Sequence, residues 1–127
     1  MKQPTIGYKG VPGTTIIKTS NFYFKNDEVE KAEMTGKELD FEDGDICECA
    51  LDLSEIQSFF KTRCSVSGLE KVGVYLKGGH YLTYYIEYEE LLDLWSLYKR
   101  MTLNSELPVF GPNGELIPYH LYLDGKA

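Results

Sequence analysis

The sequence predicts an α+β fold, with a mainly antiparallel sheet of about five or six strands and two helices packed on one side of it. Three segments carry this prediction. Residues 45–53 alternate between apolar and polar side chains, residues 71–101 have the pattern of a β-hairpin followed by an amphipathic helix, and residues 112–114 suit the turn of a second hairpin. The length of 127 residues fits one compact domain that spans residues 1–127.

The N-terminal third of the chain has weaker patterns. Residues 7–13 contain three glycines and a proline, which interrupt regular pairing and predict a loop. Residues 14–18 and 22–25 are rich in β-branched or aromatic side chains and predict two short strands. Residues 26–43 are polar and have no clear period, so they predict a loop that contains one short helix or strand.

The alternating strand at residues 45–53 is followed by a predicted helix at residues 54–64. One face of the strand carries Cys47, Cys49, Leu51 and Leu53. Ser54 and Gln57 have the spacing of a capping box, in which the two side chains satisfy the first free N–H groups of a helix. The apolar residues that recur at helical intervals after them are Ile56, Phe59, Phe60 and Cys64.

The hairpin within residues 71–101 has two candidate registers. Its two apolar sets are Val72, Val74 and Leu76 before the glycine turn, and Leu82, Tyr84 and Ile86 after it. A two-residue loop of Gly78 and Gly79 would put these sets on opposite faces of the sheet. An odd loop that also includes His80 pairs Leu76 with Leu82 and puts both sets on one face. Because burial of both sets requires a shared face, we expect the odd loop.

The opposite face of this hairpin is the candidate partner-binding surface. It carries Tyr75, Tyr81, Thr83, Tyr85 and Glu87. Tyrosine offers a large, rigid contact area with a polar tip, and it is enriched at binding surfaces. The same pattern would arise if this face packed beneath other strands as a second core layer. The sequence leaves both interpretations open.

The C-terminal half predicts a helix and a second hairpin. The helix spans residues 89–101, with acidic side chains before it and basic ones at its end, as the helix dipole favours. Its apolar stripe consists of Leu91, Leu94, Trp95, Tyr98 and Met101. The hairpin that follows is predicted to lie at a sheet edge because it contains three prolines. Its last strand is predicted to point Tyr119, Leu121 and Leu123 inward.

The charge of the chain disfavours nucleic acid and membranes as partners. Thirteen Lys and Arg face twenty Asp and Glu, which gives a net charge of -7, and no basic cluster is present to displace phosphate counterions. An acidic protein can steer towards a basic protein partner. No apolar run approaches the roughly 18 residues of a membrane span. The absence of a secretory signal pattern and the three cysteines predict a cytoplasmic protein.

The motifs predict no metal site, no cofactor and no catalytic residue. Cys47 and Cys49 are one residue apart, whereas zinc sites typically place two residues between cysteines, so we interpret both as small buried hydrophobes. The acidic run at residues 40–45 lacks the calcium-loop pattern before its glycine. The glycines at residues 7–13 lack the lysine of a phosphate loop.

Three function classes remain, and the first is the leading hypothesis. It is a non-enzymatic protein-binding domain, such as an inhibitor, an immunity protein or a phage-type antagonist of a larger partner. The second is a small-molecule binder or small enzyme, in which the tyrosine face and His80 line a pocket and Glu87 or His120 supplies acid–base function. The third is a structural subunit of a larger assembly, and the sequence does not specify the oligomeric state.

Overall fold

The computed structural model describes residues 7–39, 44–65 and 68–125, and it contains both helices and antiparallel strands. The strands are β1 (Lys9–Gly10), β2 (Ile16–Tyr23), β3 (Asp45–Asp52), β4 (Ile56–Arg63), β5 (Glu70–Leu76), β6 (Tyr81–Tyr84), β7 (Pro108–Phe110) and β8 (Leu116–Pro118). The helices are α1 (Asn26–Thr35), α2 (Tyr88–Leu103) and α3 (Tyr119–Leu123). The predicted α+β class with antiparallel strands is therefore confirmed.

The described strands form three separate sheets in place of one sheet of five or six strands. The N-terminal sheet has the order β1-β2-β3, the central sheet has the order β4-β5-β6, and β7 pairs with β8. The backbone of Tyr85 joins the first two sheets, since its N–H donates to the carbonyl of Ser20 in β2 at 2.9 Å. The chain thus leaves the central sheet after β6 and crosses to the N-terminal sheet.

One continuous strand, β2, replaces the two short strands predicted around residues 19–21. All eight of its residues pair with β3, from Ile16 opposite Asp52 to Tyr23 opposite Asp45. The polar residues expected to interrupt it are satisfied inside the fold, because the Thr19 hydroxyl donates to the Gly7 carbonyl at 2.8 Å. The prediction of a strand at residues 45–53 is confirmed by β3.

The predicted helix at residues 54–64 is wrong, because this segment forms strand β4. The Ser54 side chain does not cap a helix; Asp52 instead accepts hydrogen bonds from the Ser54 N–H at 3.0 Å and the Ser54 hydroxyl at 2.8 Å. This arrangement closes one turn of 3-10 helix, after which β4 pairs with β5. Pairing with a distant strand outweighs the local helical signal, as is common for short segments.

Within β5 and β6 the hairpin confirms the predicted faces but not the predicted pairing, and Leu82 on the inner face is 47% exposed. Tyr75 lies opposite Tyr81, and the Leu76 N–H donates to the His80 carbonyl at 2.8 Å. The odd loop is therefore residues 77–79, and the register differs by two residues from the expected one. A shift of two keeps every side chain on its face because the strand period is two. Gly78 and Gly79 supply the positive φ angles that the loop requires.

The core lies between the inner face of the central sheet, helix α2 and β2. Its fully buried members include Ile17, Leu53, Val72, Val74, Ile86 and Leu91. Phe59 of β4 reaches the helix, where its ring meets Trp95 edge to face with centroids 5.5 Å apart. Glu70 of β5 accepts a hydrogen bond from the Tyr88 N–H at 2.9 Å and thereby satisfies a free donor at the start of α2.

The C-terminal hairpin is confirmed, but the inward strand predicted after it is wrong. The Gly111 N–H donates to the Glu115 carbonyl at 2.7 Å across the predicted turn. Residues 119–123 form α3 instead of continuing β8, so Tyr119 and Leu123 are exposed. In the part of the chain that the structure describes, no helix is long and apolar enough to cross a membrane.

Candidate functional site

The outer face of the central sheet, opposite α2, brings together some of the predicted partner-binding residues. Tyr75 and Tyr81 are both 45% exposed and face each other across β5 and β6. Thr83 lies on the same face, half-buried, and its hydroxyl donates to the Asn21 side chain at 3.2 Å. Glu87 is exposed but stands at the N-cap of α2, beyond the end of β6.

Tyr85 does not belong to this face, although the sequence placed it there. Its side chain is 0% exposed. The alternation of faces stops because β6 ends at Tyr84, and the Tyr85 backbone binds Ser20 on one side and the Gly7 N–H on the other, each at 2.9 Å. Both Tyr85 and Ile86 are consequently inside the fold.

Phe60, which sequence analysis missed, completes a group of three exposed rings with Tyr75 and Tyr81. It is 40% exposed and lies on β4 opposite Gly73. Its ring is parallel to that of Tyr81, with an angle of 6° and centroids 6.0 Å apart. The Tyr75 ring lies 4.9 Å from Tyr81 and 6.1 Å from Phe60. We refer to Phe60, Tyr75 and Tyr81 as the aromatic cluster.

Gly73 at the centre of the sheet allows the ends of two side chains of the cluster to approach the backbone. A Cβ atom at this position would stand 2.5 Å from Cζ of Phe60 and 2.6 Å from the hydroxyl of Tyr81. The two side chains therefore extend from the outer strands and meet over the middle one.

The polar residues around the aromatic cluster carry little charge. The register places Ser58 and Thr62 of β4, Lys71 of β5 and Thr83 of β6 on the same face as the rings. This set contains one cation and no carboxylate. The acidic excess of the chain is thus not located on this face, and a contact here depends on ring surface and hydroxyl groups.

The inner side of the same sheet holds an ion pair beside the start of α2. Lys61 Nζ is 3.5 Å from the carboxylate of Glu70. The hydrogen bond from the Tyr88 N–H lowers the pKa of Glu70 below its usual value; burial opposes this effect in part, and Lys61 and Arg63 reinforce it. Glu70 is therefore ionised at neutral pH and connects β5 to the helix.

The cysteines pack within the fold, and their surroundings do not activate them as nucleophiles. Cys49 is half-buried against the core, and burial, with a smaller contribution from Cys47, raises its pKa to about 11. A thiol with this pKa is protonated at neutral pH and is a weak nucleophile. Cys64 is buried just beyond the end of β4, and no disulfide joins two of the described cysteines. Among the described residues, no group of three or more His, Cys, Asp or Glu side chains is placed to hold a metal ion.

Two of the clefts that the described residues form lie elsewhere on the protein. The larger, of about 560 Å³, separates α2 from the β7–β8 hairpin, and Tyr8, Glu90, Asp93 and Glu115 are among its lining residues. Burial raises the pKa of Tyr8, and the nearby carboxylates raise it further. The smaller cleft, of about 300 Å³, includes His120. Neither cleft is lined by Tyr75, Tyr81, His80 or Glu87, the side chains of the hypothetical small-molecule pocket.

Phe60 was missed because of a local ambiguity in the sequence. Phe59 and Phe60 are adjacent, so they obscure the alternation that would identify a strand, and the preceding serine and glutamine imitate a helix cap. The signal that could have identified the strand is the glycine at residue 68, which precedes the β5 pattern and is typical of a hairpin. The acidic run predicted as a turn lies mostly at residues 40–43, outside the described residues.

Comparisons with known proteins add no information about this site. No protein-family model, no curated protein and no solved structure matches the chain.

Proposed function

We propose that this chain is a non-enzymatic protein-binding domain, an inhibitor or antagonist type of protein that contacts a larger partner through the aromatic cluster. The observation that carries the proposal is the exposure of three mutually contacting rings, Phe60, Tyr75 and Tyr81, on the sheet face opposite α2. Single exposed apolar residues are common on protein surfaces, but contiguous groups of them mark interaction sites.

The cluster is suited to binding because its rings are already ordered. Each ring contacts the other two, and Phe60 and Tyr81 rest on the backbone at Gly73. Ordering a side chain on association costs about 0.5–1.5 kcal/mol, and a cluster held in place in the free protein avoids part of that cost. Burial of about half of each ring would supply much of the favourable free energy of a small hot spot.

The surroundings of the cluster support protein as the class of partner. Hydroxyl groups of Ser58, Thr62 and Thr83 share its face, which resembles the arrangement of protein interfaces, where aromatic residues are surrounded by polar ones. With one cation on this face and a net charge of -7 overall, the chain lacks the basic surface that nucleic acid requires. The overall charge would still steer a partner of opposite sign at long range.

The test is an affinity capture with matched tyrosine variants. The parent, Tyr75→Thr/Tyr81→Thr and Tyr23→Thr/Tyr119→Thr are immobilised separately and incubated with lysate of the source organism, and retained proteins are quantified by mass spectrometry. Tyr23 and Tyr119 are the control because they are exposed to a similar extent, 43% and 39%, outside the cluster. Threonine retains strand propensity, and thermal melts establish that each variant is folded.

We expect the parent and the control variant to retain the same partner, and the cluster variant to lose it by about tenfold or more. Retention of that partner by all three proteins would contradict the proposal. Retention of no protein by the parent above the background of an unrelated acidic domain would contradict it as well.

A further inference from the structure

Among the residues that the structure describes, β4 is an exposed edge strand that pairs on one side only. In the sheet order β4-β5-β6, β4 is a terminal strand, and it has the length of a full partner strand at eight residues. Five of its eight residues are exposed, whereas Val72, Gly73 and Val74 at the centre of β5 are buried. Edge strands of this kind present unpaired N–H and C=O groups to a segment that adds to the sheet.

The register identifies which backbone groups point outward. In an antiparallel pair, residues that exchange backbone hydrogen bonds alternate with residues that do not. The Cys64 N–H donates to the Leu69 carbonyl at 2.9 Å, immediately beyond the pair of Arg63 with Glu70. This sets Phe60 and Thr62 as the bonded positions, and it directs the backbone groups of Phe59, Lys61 and Arg63 away from β5.

The β5–β6 hairpin gives the same result independently. The Leu76 N–H donates to the His80 carbonyl at 2.8 Å, so even-numbered residues of β5 bond to β6. Odd-numbered residues of β5 are left to bond to β4, and Gly73 among them lies opposite Phe60. Outside the strand ladders, no backbone hydrogen bond of the described residues uses the N–H of Phe59, Lys61 or Arg63, and the register directs these N–H groups away from β5.

The charges on β4 select the kind of segment that can add to it. The strand contains Lys61 and Arg63 and no carboxylate, in a chain whose net charge is -7. Glu70 compensates Lys61 in part, and Lys61 keeps 58% of its side chain exposed. Two copies of β4 placed side by side would bring cations together, which is unfavourable for directly opposed like charges. An acidic segment added to the same edge would instead lie beside the opposite charges of Lys61 and Arg63, which is favourable.

The two faces of β4 specify the alternation of such a segment. Phe60 on the outer face stands beside Tyr75, with ring centroids 6.1 Å apart, and would cover apolar side chains of an added strand. Lys61 and Arg63 point to the other face and would meet acidic ones, because successive side chains of a strand point to opposite faces. An alternating apolar and acidic segment therefore matches both faces at once.

We propose that the partner contributes an extended segment with alternating apolar and acidic residues, which adds to the outer edge of β4 beside the aromatic cluster. This inference rests on the proposed function and specifies the chemistry of its partner. Backbone hydrogen bonds to Phe59, Lys61 and Arg63 hold the segment, and contacts with Phe60 and with the two cations select its side chains.

The test uses a random octapeptide display library as the probe, selected against the full chain and three variants. Lys61→Pro removes one outward N–H while leaving the bonds to β5 intact, as edge positions tolerate. Lys61→Ala is its matched control for the lost charge. Lys61→Glu/Arg63→Glu keeps every backbone donor and reverses the charge, so it remains informative if the proline variant does not fold.

We expect the parent to enrich peptides that alternate apolar and acidic residues, and Lys61→Ala to bind them more weakly. Lys61→Pro should lose them by about tenfold or more relative to Lys61→Ala, and the charge-reversed variant should enrich basic peptides instead. In the parent, bound peptide should slow amide hydrogen exchange at Phe59, Lys61 and Arg63, with little change at Phe60 and Thr62, which are already bonded.

Four results would overturn the inference. The first is that Lys61→Pro enriches the same peptides as strongly as Lys61→Ala does; the second is that the parent enriches basic peptides, and the third is that the parent enriches no peptides. The fourth is concentration-dependent self-association of the parent through β4 in sedimentation, which would make a second copy the occupant. If the lysate capture depends on Tyr75 and Tyr81 while the peptide enrichment does not depend on Lys61, the proposed function stands and strand addition is wrong. The lysate capture described above tests the proposed function independently of this peptide experiment.

Discussion

Gly10 and Gly73 lie in different sheets, and aromatic rings pack directly onto the backbone of both. A Cβ atom on Gly10 would stand 2.3 Å from the Phe110 ring, and one on Gly73 would stand 2.5 Å from the Phe60 ring. The two sites differ in their relation to solvent. Phe110 is 0% exposed, whereas Phe60 and Tyr81 are 40% and 45% exposed.

Because of this difference, packing of the fold fully explains the position of the Phe110 ring but not that of the rings over Gly73. The Phe110 ring stabilises the fold by its complete removal from water, which is the ordinary role of a buried aromatic side chain. The rings over Gly73 have the same close approach but keep nearly half of their surface in solvent. Burial in the fold accounts for their inner half, and the proposed partner would account for the outer half.

The largest expected effect is at the buried site. Gly10→Ala should destabilise the protein by about 1–3 kcal/mol, because the added methyl group overlaps a ring that has no free space into which to move. The backbone of Gly10 does not have a positive φ, so the effect would come from packing. Urea unfolding followed by circular dichroism measures it. If Gly10→Ala had the same free energy of unfolding as the parent, that result would contradict the tight packing of Phe110 on β1.

The matched change at the exposed site should affect stability less and binding more. Gly73→Ala displaces the ends of Phe60 and Tyr81, which can swing into solvent, and alanine is also the better strand former by up to about 1 kcal/mol. We therefore expect a change within about 1 kcal/mol in the same urea experiment, together with weakened capture of the partner. A loss equal to that of Gly10→Ala would mean that the exposed rings are as confined as Phe110.

The smallest expected effect concerns the inner side of the central sheet and depends on pH. The folded-state pKa of Glu70 is lowered, so the stability that it contributes is present above the ordinary glutamate pKa of about 4.3 and is lost as pH falls through the folded value. Glu70→Gln should therefore melt at a lower temperature than the parent near neutral pH, and the gap should close as the pH falls below the folded-state pKa of Glu70.

Thermal melts of the two proteins across this pH range measure the gap. A difference that is the same at neutral and acidic pH would show that the carboxylate charge has no part in joining β5 to α2. Glu70→Gln should not weaken partner binding, since Glu70 does not lie on the outer face and its charge offsets part of that of Lys61.

The parts of the molecule that the sequence predicted correctly depend on local period. The alternation of residues 45–52, the two faces of the β5–β6 hairpin and the apolar stripe of α2 each repeat over enough residues to overcome ambiguity. Tyr75 and Tyr81 on a shared exposed face follow from that period. The odd loop length followed from it as well, because only an odd loop places both apolar sets on one face, where Leu82 is nevertheless 47% exposed.

The parts that were not predicted depend on distant pairing. Phe60 became a member of the exposed cluster because β4 pairs with β5, and nothing within residues 54–64 excludes a helix. Tyr85 is buried because β2 offers the Ser20 carbonyl, which lies sixty-five positions earlier in the chain. A one-dimensional pattern assigns a residue to a face only as far as the strand continues, and the end of β6 is set by tertiary contacts.

The most direct test of the central claim is site-specific photo-crosslinking at the aromatic cluster. Tyr81 is replaced by p-benzoylphenylalanine in one protein and Tyr119 in another, and both are irradiated in lysate of the source organism. We predict that position 81 forms one dominant adduct with a protein, that excess parent chain suppresses it, and that position 119 does not form it. An adduct of equal yield from both positions, or none from position 81, would contradict the assignment of the exposed rings to partner binding.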